Sequence, residues 1–184
     1  MLLPPFPAGK GPIPPMCERL AGCGMTLRAA AATDMPFLHR LYAGTRAAEL
    51  LPSPWSPAEK AAFCASQFAL QHAGYVRRFP RGDFWIVSQR LDGMERDIGR
   101  LSVQRKSKAW RLIDIVVAAE ARKQGLGTAL IQWVQASAAC AGAEAVDLTV
   151  LTSNSRARAL YLRLGFEDAG DGDGLHQSMR WRPA

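Results

Sequence analysis

A chain of 184 residues that is 48% hydrophobic and 21% charged is large enough for one domain with a sizeable core, and its composition is that of an ordinary globular protein. It holds nothing near the ~18 consecutive apolar residues of a membrane span and no repeat at a fixed period, which excludes helical membrane proteins and repeat arrays. The net charge of +7 raises the question of nucleic acid, but the basic residues lie scattered, and a positive surface equally attracts coenzyme phosphates or an acidic substrate.

Residues 1–24 stand apart. Eight of the first fifteen are Pro or Gly without a period, so a disordered or extended tail is expected, and it lacks the apolar run of a secretory signal. Met25 opens a normal domain start, which makes 25–184 the expected domain and Met25 the expected native initiator. Thr26–Ala30 reads as a first strand. Thr33 or Asp34 then caps a helix over about 35–44, with Phe37, Leu38 and Leu41 on its apolar face. After the rigid loop Leu51-Pro52-Ser53-Pro54-Trp55, Ser56-Pro57-Ala58-Glu59 supplies an N-cap, a first-position proline and a capping-box Glu. That helix should run to about Arg78. Its stripe is Ala61, Cys64, Ala65, Phe68, His72, Tyr75, Val76 and Phe79, where His72 reads as a packed side chain. Phe84–Gln89, Ile98–Gln104 and Ala109–Val117 read as an antiparallel meander. Asp92-Gly93 turns the chain in a loop longer than two residues, and Gly99 allows a bulge or a close contact.

Apolar positions from Leu126 to Ala141 trace an amphipathic helix ended by Gly142, and Ala145–Leu151 is a strand of the buried parallel type. With 109–117 they form a βαβ unit whose crossover is right-handed. Phe166–Asp168 and Leu175–Trp181 read as closing strands. The four cysteines, Cys17, Cys23, Cys64 and Cys140, show no C-x-x-C spacing, and the three histidines lie far apart. No metal site is expected, Cys64 and Cys140 read as small buried residues, and the setting is taken as reducing and cytoplasmic.

The most informative stretch is Asp114 to Leu130, DIVVAAEARKQGLGTAL. A β-branched strand leads into the loop Arg122-Lys123-Gln124-Gly125-Leu126-Gly127, and a helix starts directly after it. The first N–H groups of a helix lack intrahelical partners and sit at the positive end of its macrodipole. Glycines let a ligand reach the backbone, and Arg122 and Lys123 add charge, so a phosphate or pyrophosphate is the natural guest. The loop is no P-loop, because neither glycine precedes a Lys, and no dinucleotide fingerprint, because position 130 is Leu. What stands here is R-x-x-G-x-G at the end of a strand. Asn154, twenty-seven residues after Gly127, opens the string N-x-x-A-x-x-L-Y-x-x-L-G-F, which ends at Gly165-Phe166.

These two motifs, one helix and one strand apart, closely resemble the two signatures of the GNAT superfamily of N-acetyltransferases, and the resemblance spans Met25 to about Trp181. It implies an α/β (α+β) fold: a central mixed, mostly antiparallel sheet of about six to seven strands, flanked by about four helices and splayed between the fourth and fifth strands. It also implies acetyl-CoA as co-substrate and no metal. The loop Arg122, Lys123, Gln124, Gly125, Leu126, Gly127 and Thr128 would hold the pyrophosphate. Backbone groups of Ile115 and Val117 would pair with the pantetheine arm like an added strand. Asn154 would contact the coenzyme while capping its own helix. Tyr161 matches the family's proton donor to the leaving sulfur, and a phenol pKa of about 10 suits a thiolate; its plainer reading is a core aromatic. The general base has no fixed family position, and Asp114 and Glu49 are the candidates, with Glu120 read as solvated. Ala119 stands where Pro is common and Gln124 where a basic residue is frequent, departures that bear on affinity.

The expected activity is direct attack of a primary amine, small or on a peptide or protein, on acetyl-CoA. No nucleic acid or membrane partner is expected, and a homodimer is, because a short mixed sheet leaves exposed edges. Two other readings compete: a sensor of the same fold that binds an acyl-CoA without turnover, and a basic nucleic-acid-binding domain, which lacks stacking aromatics and a recognition helix.

Overall fold

The computed structural model describes residues 3–15, 18–170 and 172–183. Its strands are β1 (Met25–Ala29), β2 (Asp83–Leu91), β3 (Met94–Arg105), β4 (Ala109–Val117), β5 (Ala145–Leu151), β6 (Glu167–Asp168) and β7 (His176–Trp181). Its helices are α1 (Glu18–Gly22), α2 (Met35–Leu50), α3 (Pro57–Arg78), α4 (Leu126–Cys140) and α5 (Ser155–Arg163). The strands form one seven-stranded sheet in the order β1-β2-β3-β4-β5-β7-β6, antiparallel throughout except for the parallel pair β4–β5. The expected mixed, mostly antiparallel sheet is therefore present. The four helices after Met25 are those expected, and the short α1 is additional.

The sheet is covered on both faces, which is why Asp83–Gln89 of β2 is buried throughout. On one face Leu126, Leu130, Trp133 and Val134 of α4 pack on Leu101, Val103, Trp110, Leu112, Val146 and Leu148. On the other, Leu38, Leu41 and Tyr42 of α2 meet Cys64 and Phe68 of α3 over Ile86. Among the described residues no helix is long and apolar enough to cross a membrane.

Local chemistry accounts for most element boundaries. The capping box at α3 forms as the sequence suggests: the Glu59 N–H donates to Ser56 Oγ at 3.3 Å and the Ser56 N–H donates to the Glu59 carboxylate at 2.7 Å. A Cβ on Gly99 would lie 2.4 Å from the Val116 carbonyl oxygen, and the β2–β3 register shifts beside it, so Gly99 serves both the close contact and the bulge. Other expectations need correction. The β2–β3 loop is only Asp92-Gly93, whose φ angles of 51° and 77° make the tight hairpin turn that matches strand twist, so both strands run longer than the composition suggested. Helix α2 continues through Gly44 to Leu50, because Ala47, Ala48, Glu49 and Leu50 all favour helix. Ala61 and Ala65 of α3 are exposed, and so is Cys140 at the last position of α4, while Cys64 is buried. Cys17 lies outside the described residues.

The proline-rich segment before Met25 forms no helix or strand over 3–15 and bends at 10–12, but it lies against the domain. Its prolines supply carbonyls and no N–H, and side-chain donors take them up. His72 Nε2 is 2.7 Å from the Pro4 carbonyl, Arg105 donates to the carbonyls of Gly11 and Pro12, and the buried Trp133 indole N–H donates to Pro15 at 3.0 Å. The Phe6 ring packs on His72 and Phe84, and Leu20 of α1 is fully buried in the main core. Composition missed these contacts because they join residues about seventy to one hundred and twenty positions apart.

Candidate active site

β4 and β5 pair only where Ala109–Arg111 meets Ala145–Asp147. Beyond that point the strands part, and a cleft of about 870 Å³ opens between them. A bulge in β4 shapes it: Asp114 pairs with Ser102 and Leu112 with Val103, which leaves Ile113 as the extra residue. Before the bulge Trp110 and Leu112 face the α4 core; after it Ile115 and Val117 do, and Val116 faces α2 and α3. The extra residue thus turns Arg111 and Asp114 to the same, α3-side face. On the β5 side, β4 is unpaired from Leu112 to Val117, an edge that can accept an added strand-like arm.

At the open end, Arg122 Nε donates to the Val117 carbonyl at 2.9 Å and Gln124 reaches the Glu120 carbonyl at 3.4 Å, which folds the loop on itself. Lys123 and Gly125 take left-handed φ angles of 65° and 76°, and Gly125 is the N-cap of α4. Side chains cap α3 and α5, but none caps α4, so the first-turn amides of Leu126, Gly127 and Thr128 stay available. A Cβ built on Gly125 or Gly127 meets nothing within 4 Å. Ala119 opens a 3-10 turn over Ala119–Ala121, so the turn forms without the family's proline.

On the α5 side, Asn154 lines the cleft while its Oδ1 accepts from the Ala157 N–H at 3.1 Å. Tyr161, also lining the cleft, is buried with its ring 5.7 Å from that of Phe166. Burial, and after it the negative charge of Asp114, pushes its phenol up to about 12. On the α3 side, Arg100 Nε donates to Asp114 Oδ2, and the same guanidinium donates to Gln71 Oε1 at 2.6 Å. Burial pushes the phenol of neighbouring Tyr75 well above its usual range, with Asp114 adding to it. At the far wall Asp173 accepts from the backbone N–H of His176 and Leu175 and lies 3.1 Å from His176 Nδ1. These bonds, that from the His176 backbone foremost, hold its carboxyl below the usual range.

Of the residues singled out in the sequence, Asp114, Ile115, Asn154 and Tyr161 line the cleft. Val117 and the loop from Arg122 to Thr128 do not line it; they follow the unpaired, C-terminal end of β4. Glu49 does not line it: on the last turn of α2, it is 59% exposed and pairs with Arg46 at 2.6 Å. Gln71, Tyr75 and Arg78 escaped notice as site residues, although their i, i+4, i+7 spacing puts them on one helix face. Arg100, Arg111, Thr149, His176 and Ser178 carry no local signal, and strand register alone assembles them.

The fold is thus a mixed sheet that parts between two parallel strands, followed by a helix, α4, whose N-terminus no side chain caps. Residues 46–166, more than half of the chain, match the model of the acetyltransferase (GNAT) family, and the chain belongs to that family. Solved structures share the fold. A PaiA N-acetyltransferase from Thermoplasma acidophilum in complex with coenzyme A superposes with a TM-score of 0.63 at 15% identity, covering 86% of this chain and 99% of that one. An acetyltransferase from Thermus thermophilus gives 0.62 at 16% identity, covering 86% and 97%. The spermidine N-acetyltransferase from Vibrio cholerae in complex with CoA and spermine gives 0.57 at 18% identity, covering 86% and 95%.

Proposed function

We propose that the protein is an N-acetyltransferase that moves the acetyl group of acetyl-CoA to a primary amine by direct attack. The observation that carries this reading is the opening between β4 and β5, with Tyr161 and Asp114 on its walls and the uncapped N-terminus of α4 following the unpaired end of β4. Residues 122–128 would hold the pyrophosphate, the backbones of Ile115 and Val117 the pantetheine arm, and Asn154 the coenzyme beside them. A neutral amine then attacks the thioester carbonyl carbon; the C–N bond forms, the C–S bond breaks, and the sulfur leaves as thiolate beside the Tyr161 hydroxyl. Asp114 receives the amine's proton through Oδ1, since Arg100 occupies Oδ2. A cytoplasmic homodimer belongs to the same proposal.

Gly127→Trp tests the coenzyme site. Gly127 has no left-handed φ and open space at its Cβ, so the fold tolerates the change while the indole fills the phosphate's place. Calorimetry should show acetyl-CoA binding lost; unchanged affinity would refute the pyrophosphate assignment. Thiol release with a panel of primary amines then separates enzyme from sensor, because a sensor binds acetyl-CoA and releases none.

A further inference from the structure

The α3-side face of the cleft holds more positive charge than its carboxylates balance. Among the described residues three carboxylates lie in or beside it, and each has its own partner. Asp114 is held by Arg100, and Asp147 by two nitrogens of Arg180 at 2.6 and 2.9 Å. Asp173 is held by His176 and two backbone amides. Two arginines that line the cleft remain: Arg78 on the last turn of α3 and Arg111 on β4. Neither forms a salt bridge among the described residues. Arg111 is half-buried and donates to Thr149 Oγ1. Its guanidinium is held below the usual range by burial first and by the charge of Arg78 second, with Asp147 opposing. Two neighbouring cations, one of them partly desolvated, are unfavourable until an anion joins them.

The coenzyme's pyrophosphate is not that anion. Its loop starts beyond Val117, six residues past Arg111. Because of the bulge this stretch spans only the β3 positions from Gln104 to Gly99, and at about 3.3 Å per residue along a strand the start of the loop lies roughly 16 Å from Arg111.

Building on the acetyltransferase reading, we propose that the acceptor amine carries an anionic group, a carboxylate or a phosphonate, which Arg78 and Arg111 bind while the amine points toward Asp114 and Tyr161. Thr149 and Ser178, paired across β5 and β7, add hydroxyls on the same face. The two cations also favour the neutral, nucleophilic form of a nearby amine. They repel acceptors that bear a second ammonium group, so the cleft selects by repulsion as well as attraction. The Vibrio cholerae relative, in complex with CoA and spermine, shows the same fold serving a polycation.

The test uses the full chain, acetyl-CoA and acceptors that share one skeleton: an α-amino acid, its carboxamide, its aminophosphonate analogue and a diamine. Thiol release should give the acidic members a kcat/KM about tenfold or more above the carboxamide, chiefly through KM, with the diamine poorest. The carboxylate and phosphonate arms decide which anion is preferred. Arg111→Gln and Arg78→Gln should each narrow the acid-to-amide ratio, and Arg111→Lys should restore part of it. A carboxamide or diamine that matches the acid, or variants that slow every acceptor alike, would overturn the proposal. Should no acceptor release thiol, the acetyltransferase reading fails, and calorimetry of the same set on coenzyme A-saturated protein decides the anion site separately. Preferential binding of acidic members that Arg111→Gln abolishes upholds it, and absence of preference overturns it.

Discussion

Replacing Tyr161 by Phe removes one hydroxyl and keeps the ring that packs against Phe166. The phenol is pushed up to about 12, whereas a free thiol titrates at about 8.5. The near match expected for an unperturbed phenol is therefore lost, because burial widens the gap. Complete proton transfer from this phenol to a thiolate is uphill by roughly 5 kcal/mol. Under the proposed mechanism Tyr161 would then serve the departing sulfur as a hydrogen-bond donor, with water completing the protonation. A hydrogen bond to a charged group contributes roughly 1.5–3 kcal/mol. Tyr161→Phe should then lower kcat by about 10- to 150-fold and leave the coenzyme Kd nearly unchanged. Single-turnover thiol release, where chemistry limits the rate, is the assay. The wild-type rate should show no loss attributable to this phenol below about pH 11. A Phe variant with the wild-type single-turnover rate would make Tyr161 a packing residue, and a loss beyond about 10⁴-fold would mean that the proton is delivered outright.

Two further expectations follow from the packing. A chain begun at Met25 loses the fully buried Leu20 and the Pro15 carbonyl that accepts the Trp133 N–H, about 2–3 kcal/mol for the first and about 1–3 for the second. Its melting temperature should fall by roughly 10 °C or more, and an unchanged melt would show that the segment merely rests on the domain. Tyr75 and Tyr161 both have folded-state pKa values raised above the unfolded one. Their stabilising contribution is complete below about pH 10 and is lost as pH rises through the folded values, because the unfolded phenols release protons that the folded ones keep. Denaturant titrations should therefore show stability declining above about pH 10, less steeply in Tyr161→Phe; equal slopes would place that phenol in contact with water.

The sequence alone determined whatever rests on chemistry within a few residues. Ser56 and Glu59 start α3, Gly125 turns the chain into α4, and Gly142 and Gly165 follow the helices they end, because caps and left-handed glycines act locally. Periodicity placed β4, α4 and β5, and the two motifs in order pointed to the family. Tertiary structure decided the rest. The single extra residue at Ile113 turns Arg111 and Asp114 to one face, and no side-chain pattern announces a bulge. Glu49 and Asp114 look equivalent as carboxylates in a string, yet one is an exposed side chain on the last turn of α2 and the other faces the cleft. The segment before Met25 reads as a tail because its partners, His72, Arg105 and Trp133, are distant in sequence. The charge of the cleft's α3-side face follows the same rule. Which arginines keep a carboxylate depends on strand register across β3, β4, β5 and β7, and the acidity of Tyr161 depends on the burial that this register creates.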